Sequence, residues 1–112
     1  MSGVKFPWGA ASIVPLTDTG AQAVSINNDM TIIDGVTVAA AGNRTINLTV
    51  DSGVNAGAHL FIKSKTTGTE TTIFGTGMTG ATITGAAGKT KTALFIYDGT
   101  SFIEAGTPVQ ID

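Results

Sequence analysis

Along residues 44–50, RTINLTV, polar and apolar side chains alternate from Thr45 onward. Ile46, Leu48 and Val50 fall on one face and Thr45, Asn47 and Thr49 on the other, the period of a strand buried on one side. AQAVSI (21–26), MTIID (30–34) and VTVAA (36–40) read as further strands, with NND (27–29) turning the chain between the first two. After the turn DSGVNAG (51–57), AHLFIKS (58–64) puts His59, Phe61 and Lys63 on one side and Leu60, Ile62 and Ser64 on the other. Both sides of that strand therefore carry large apolar groups.

KTTGTE (65–70) leads into TTIFG, which predicts a hairpin over residues 58–74 with Gly68 supplying a positive φ. Residues 75–88 are mostly Gly, Thr and Ala and read as a long loop around a short strand, ATIT. The terminal stretch LFIYDGTSFIEAG (94–106) predicts a hairpin turned by Asp98 and Gly99, and the tail TPVQID follows it. If those two residues form a type I′ turn, Tyr97 faces Thr100, Phe95 faces Phe102 and Leu94 faces Ile103. The first twenty residues differ: Phe6, Pro7, Trp8, Ile13, Pro15 and Leu16 follow neither the helical nor the strand period.

Thr, Val, Ile and Gly dominate and turn signals recur about every ten residues, the pattern of an all-β sandwich or barrel. At 112 residues the chain fits one domain. Only 12% of residues are charged against 42% hydrophobic, so the surface must be covered by neutral polar groups or hidden against other chains. A net charge of −2 and basic residues in no longer run than Lys63-Ser-Lys65 exclude nucleic acid as the main partner. Zero cysteines remove disulfides and thiolate chemistry. The N-terminus lacks a signal core and no apolar run reaches a membrane span, so a soluble chain made without a secretory signal is expected, with no membrane partner.

Motifs that carry chemistry elsewhere fail here on context. GTGMTG (75–80) fits the dinucleotide-binding glycine spacing, yet no helical face follows it. GAAGKT (85–90) resembles the end of a P-loop, but Ile83 stands where a glycine is needed and KTALFIY is a strand pattern. His59 is the lone histidine, and the carboxylates are dispersed beside Gly, Asn or Ser in turns. The NRT and NLT sequons reflect an abundance of Asn and Thr. No acid, base and nucleophile set is apparent, so neither an enzyme nor a cofactor site is expected.

The segment TINLTVDSGVNAGAHLFIKSKTTGTETTIFGTGMTGATITGAAGKTKTALFIYDGTSFIEAGT, and its YDGTSFI hairpin above all, resembles the small Thr/Gly-rich virion proteins of tailed bacteriophages, the capsid decoration, cement and head-fibre proteins. The resemblance spans roughly residues 44–107. It implies a β-structured protein that assembles as a homotrimer, contacts the major capsid protein and other fibre or head proteins, and sits on the virion after synthesis in the host cytoplasm. The combined expectation is an extended N-terminal arm over residues 1–20, followed by a jelly-roll-like antiparallel β-sandwich over 21–112. Phe6, Trp8, Ile13 and Leu16 are then candidate capsid-docking anchors of the arm. Phe61, Phe95, Tyr97 and Phe102 are candidate interface or core residues, with Asp98 and Gly99 forming the turn. The competing reading is a receptor- or glycan-binding fibre module, in which Tyr97, Trp8 or Phe102 would stack on sugars.

Overall fold

The computed structural model describes residues 11–112, which form eleven strands and no helix. These are β1 (Ser12–Pro15), β2 (Gly20–Ile26), β3 (Met30–Ala40), β4 (Arg44–Val50), β5 (His59–Thr66), β6 (Thr71–Phe74), β7 (Met78–Thr79), β8 (Ile83–Thr84), β9 (Thr90–Tyr97), β10 (Phe102–Glu104) and β11 (Val109–Gln110). They make two sheets. Sheet A runs β1-β3-β5-β9-β10-β7, with β11 also paired to β9, and sheet B runs β2-β4-β6-β8.

From β1 to β6 the chain alternates between the sheets, and each strand pairs in parallel with the strand two places earlier. Ser12 aligns with Thr31, Met30 with His59, Gly20 with Arg44 and Arg44 with Thr72. The chain thus winds through three stacked turns, β1–β2, β3–β4 and β5–β6, as a short solenoid. Parallel pairing normally needs a crossover of a dozen or more residues, and here the strand in the opposite sheet supplies it. The bends stack as well: Ala41 N donates to Asp18 O at 2.9 Å, Thr67 N to Ala40 O at 3.1 Å, and His59 N to Asp29 O at 2.9 Å. Antiparallel ladders appear at the far end, where β9 pairs with β5, β10 and β11, and β8 with β6.

The all-β, two-sheet architecture expected from the alternation is present, but the jelly-roll-like antiparallel sandwich is corrected: β1 to β6 pair in parallel. The predicted 58–74 hairpin is corrected for the same reason, since β5 and β6 belong to different sheets. Gly68 is absent from the positive-φ glycines; its N–H instead donates to the Glu70 carboxylate at 2.7 Å, which shapes the bend.

Regular structure begins well before residue 21. Ser12–Pro15 is an edge strand of sheet A, and Leu16, only 3% exposed, lies in the core. Pro15 is tolerated because β1 is an edge strand, and the next N–H, that of Leu16, bonds Asp34 O at 2.9 Å. The extended arm over residues 1–20 is thereby corrected for residues 12–16, and Leu16 is a core residue, not a docking anchor. Phe6 and Trp8 lie outside the described residues.

Between the sheets, Val24, Ile26, Ile46 and Leu48 of sheet B meet Ile33, Leu60, Ile62 and Phe95 of sheet A, all at most 5% exposed. Phe74 crosses the gap to pack edge-to-face on Phe95, with centroids 4.7 Å apart. The slab measures 38 × 36 × 23 Å, its short axis matching two sheets about 10 Å apart with a side-chain layer on each outer face.

Candidate interaction surface

Alternation fixes what each sheet turns outward. On sheet B the outward positions Ala21, Ala23 and Ser25 of β2 align with Thr45, Asn47 and Thr49 of β4, an uncharged surface joined at one edge by Ile73 of β6, which aligns with Thr45 and is 40% exposed. Sheet A is different. The register aligns Ile13, Ile32, Phe61 and Leu94 in one row across four strands, and Met30, His59, Ile96 and Ile103 in a second. Ile13 is 67% and Ile103 37% exposed, while Ile32, Phe61, Leu94 and Ile96 are half-buried by their neighbours. Val109, paired with Thr92 and 58% exposed, extends the surface onto β11. The two rows thus gather seven apolar side chains on one face, with His59 among them.

Charges sit to one side of these rows. Asp34 and Lys63 are cross-strand neighbours, and Lys65 lies two residues further along β5 on the same face. Asp34 accepts hydrogen bonds from Thr37 Oγ1 (2.6 Å), Val36 N (2.9 Å) and Thr37 N (3.1 Å), which lower its pKa to about 2. His59 donates Nδ1–H to Gly57 O at 2.8 Å, which sets its tautomer.

The other predicted site residues divide between core and surface. Phe95 and Phe102 are fully buried, and Tyr97 is half-buried and stacked on Phe102 at 4.8 Å. The terminal hairpin forms, but its register differs from the expected one: Phe102 pairs with Tyr97, Ile103 with Ile96 and Glu104 with Phe95. The loop is four residues long (98–101), because Asp98 Oδ1 accepts both Thr100 N and Ser101 N at 2.8 Å and Asp98 N donates to Ser101 O. The shift is two residues, so every side chain keeps its face. Gly99 has φ +99°, the left-handed conformation the turn requires.

The two glycine-rich motifs are built into the backbone. In residues 75–80, Thr76 O accepts Leu48 N at 2.8 Å in sheet B and Gly77 O accepts Phe102 N at 2.9 Å in sheet A, so the segment stitches the sheets together. In residues 85–90, Gly85 N donates to Glu70 O and Gly88 N to Thr66 O, each at 2.9 Å. Strand β9 follows directly where a phosphate-binding loop would need a helix. Hydrogen-bond donors lower the pKa of Asp29, Glu70 and Asp98: Glu70 and Asp98 cap their own turns, whereas Asp29 accepts from the backbone and side chain of Asn55 in the β4–β5 loop.

One polar group escaped the sequence reading. Arg44, 1% exposed, lies between the sheets. Its Nη2 donates to Ser64 Oγ (2.7 Å), Gly35 O (3.1 Å) and Lys65 O (3.2 Å), and Nη1 to Val38 O (2.9 Å) and Thr17 O (3.3 Å). Ser64 Oγ continues to Thr72 Oγ1 at 3.0 Å. Burial lowers the Arg44 pKa, opposed by the fields of Asp18, Asp34 and Glu70. Gly35 is required beside it, since a Cβ there would fall 2.8 Å from Lys63 O and 2.9 Å from Arg44 Nη2. The signal lay in the sequence: Arg44 has the same parity as Ile46 and Leu48, which marks the inward face.

Compared with protein-family models, with curated proteins and with solved structures, the chain matches none.

Proposed function

We propose that this chain is a structural virion protein that decorates and stabilises a bacteriophage capsid, acting by binding and not by catalysis. It works as a homotrimer on the capsid surface, in contact with the major capsid protein and with other head or fibre proteins. The observation that carries this reading is the unequal pair of broad faces: apart from Ile73 of β6, sheet B turns small or neutral polar side chains outward, whereas sheet A turns outward the rows through Ile13, Ile32, Phe61 and Leu94. Such a face gains about 2.5 kcal/mol per 100 Å² of apolar area covered, before association costs. The resemblance of residues 44–107 to decoration and head-fibre proteins supplies the class of partner.

The test uses particles made with and without the protein. Loss should lower the temperature of capsid rupture and the osmotic shock the particle survives, and purified protein added back should restore both. Unchanged rupture in its absence would refute cementing.

A further inference from the structure

We infer that residues 4–8, Val-Lys-Phe-Pro-Trp, pair in parallel with the open edge of β2 in the same chain and extend sheet B by one strand. The segment lies outside the described residues; what β2 leaves unpaired and the winding of the fold assign its place.

The edge comes first. β2 is the terminal strand of sheet B, paired along all seven residues with β4 and, among the described residues, with no strand on its other side. Gly20 N donates to Asn43 O and Ile26 O accepts Asp51 N, so the even-numbered residues of β2 aim their backbone groups toward β4. The N–H and C=O of a strand residue point the same way and reverse at the next residue, which leaves those of Ala21, Ala23 and Ser25 on the open side. Edges that stay free in solution are blunted by Pro, by charge or by a bulge. β1, the corresponding edge of sheet A, carries Pro15 and is only four residues long. β2, GAQAVSI, has no such guard.

Topology names the occupant. β3, β4, β5 and β6 each lie parallel to the strand two places earlier. The same winding sends the segment that precedes β1 to the edge of β2. Residues 27–29 carry the chain from β2 to β3, and residues 9–11 separate Trp8 from β1, a bend of the same length.

Side-chain parity agrees twice. With Trp8 beside Ile26, Phe6 falls beside Val24 and Val4 beside Gln22, so all three apolar residues join the inward set while Lys5 faces solvent. Val14 of β1 and Gln22 of β2, both half-buried, mark the end of the core they would cover. On this assignment Phe6 and Trp8 serve their own core. Inward residues of sheet B direct their backbone groups toward the following turn of the solenoid, as Ile26 and Ile46 do, so Val4, Phe6 and Trp8 would face β2. Pro7 then points to the far side, where a missing N–H costs nothing. The opposite parity fails on both counts, because it buries Lys5 and turns Pro7 toward β2. Read together with Ile13, Pro15 and Leu16 the alternation is lost, since a bend separates the two groups.

The experiment uses the full chain. Trp8 is the sole tryptophan, so its fluorescence reports this segment alone, and amide exchange followed by NMR reports Ala21, Ala23 and Ser25 one by one. The wild type should show blue-shifted, acrylamide-resistant emission and slow exchange at those three amides. Ala23→Pro removes one open N–H without touching the β4 ladder; it should shift Trp8 emission to the red with the β spectrum retained in circular dichroism. Trp8→Asp approaches from the other side: the three amides should lose protection while the Val24 amide, which faces β4, keeps it. That contrast separates loss of the segment from unfolding.

Exchange at Ala21, Ala23 and Ser25 as fast in the wild type as in Trp8→Asp would overturn the inference. Isotope-labelled wild type refolded with a large excess of unlabelled Trp8→Asp should keep its protection, because each segment pairs within its own chain. Loss of protection in that mixture would give the edge to the arm of a second copy and overturn the inference as stated.

Discussion

Replacing Arg44 by Met removes the guanidinium while filling much of its volume with apolar atoms. Of the five acceptors that lose a donor, Gly35 O and Ser64 Oγ are in the buried part of the network, and Thr17 O, Val38 O and Lys65 O are partly buried. A buried acceptor stripped of its donor costs about 1–3 kcal/mol, and Ser64 keeps its bond to Thr72. Relief of the desolvated charge works in the opposite direction. The expected net loss is about 3–5 kcal/mol, a fall of at least ~12 °C in melting temperature for a domain near 100 residues. Urea unfolding followed by circular dichroism measures it, with an unchanged m value showing that the same surface is exposed. Arg44→Lys should fall between wild type and Met, because an ammonium is a point donor without the guanidinium fork. Ser64→Ala should lose less than Arg44→Met, and the double variant less than the sum of both, because the two side chains share a bond. An Arg44→Met protein within about 1 kcal/mol of wild type would refute the argument and mean that an apolar core serves equally well.

Thr31 is fully buried in sheet A and its Oγ1 has no hydrogen-bond partner among the described residues, so Thr31→Val should stabilise by about 1 kcal/mol in the same assay; a loss of stability would reveal a partner for the hydroxyl. The Asp34 pKa is depressed to about 2 from an ordinary 3.8, so its contribution is present above about pH 4 and disappears as pH falls toward about 2. Asp34→Asn should flatten that part of the stability profile, and a profile identical to wild type would contradict the capping role. Asp98→Asn keeps an oxygen for Thr100 N and Ser101 N and should change stability by at most about 0.5 kcal/mol. Phe102→Asp buries an unpaired carboxylate at a fully enclosed site and should prevent folding; equal tolerance of both changes in circular dichroism would refute this account of the hairpin.

Faces were legible in the sequence; partners were not. RTINLTV announces which side of β4 is buried, and AHLFIKS announces that β5 is apolar on both sides, because side-chain direction is a local consequence of strand geometry. Gly99 and Asp98 are likewise local, a left-handed turn position and a carboxylate within reach of two N–H groups. The hairpin register differs by two residues from a two-residue turn, because the Asp98 cap closes a four-residue loop and an even shift leaves the alternation of faces unchanged.

Pairing belongs to tertiary structure. A strand, a short polar bend and a second strand read the same whether the bend closes a hairpin or carries the chain across to the opposite sheet, so residues 58–74 fit both. Packing decides between them: crossing at each bend lets β1, β3 and β5 stack in parallel on one side and β2, β4 and β6 on the other, with all their inward side chains in one core. The same packing draws Leu16 inside and gathers backbone carbonyls around Arg44. It also aligns Ile13, Ile32, Phe61 and Leu94, scattered over 82 positions (Ile13 to Leu94 inclusive), into one row. Alternation alone determines that each strand has an inside and an outside; the long-range register, set by burial of the whole core, determines which outsides add up to a surface.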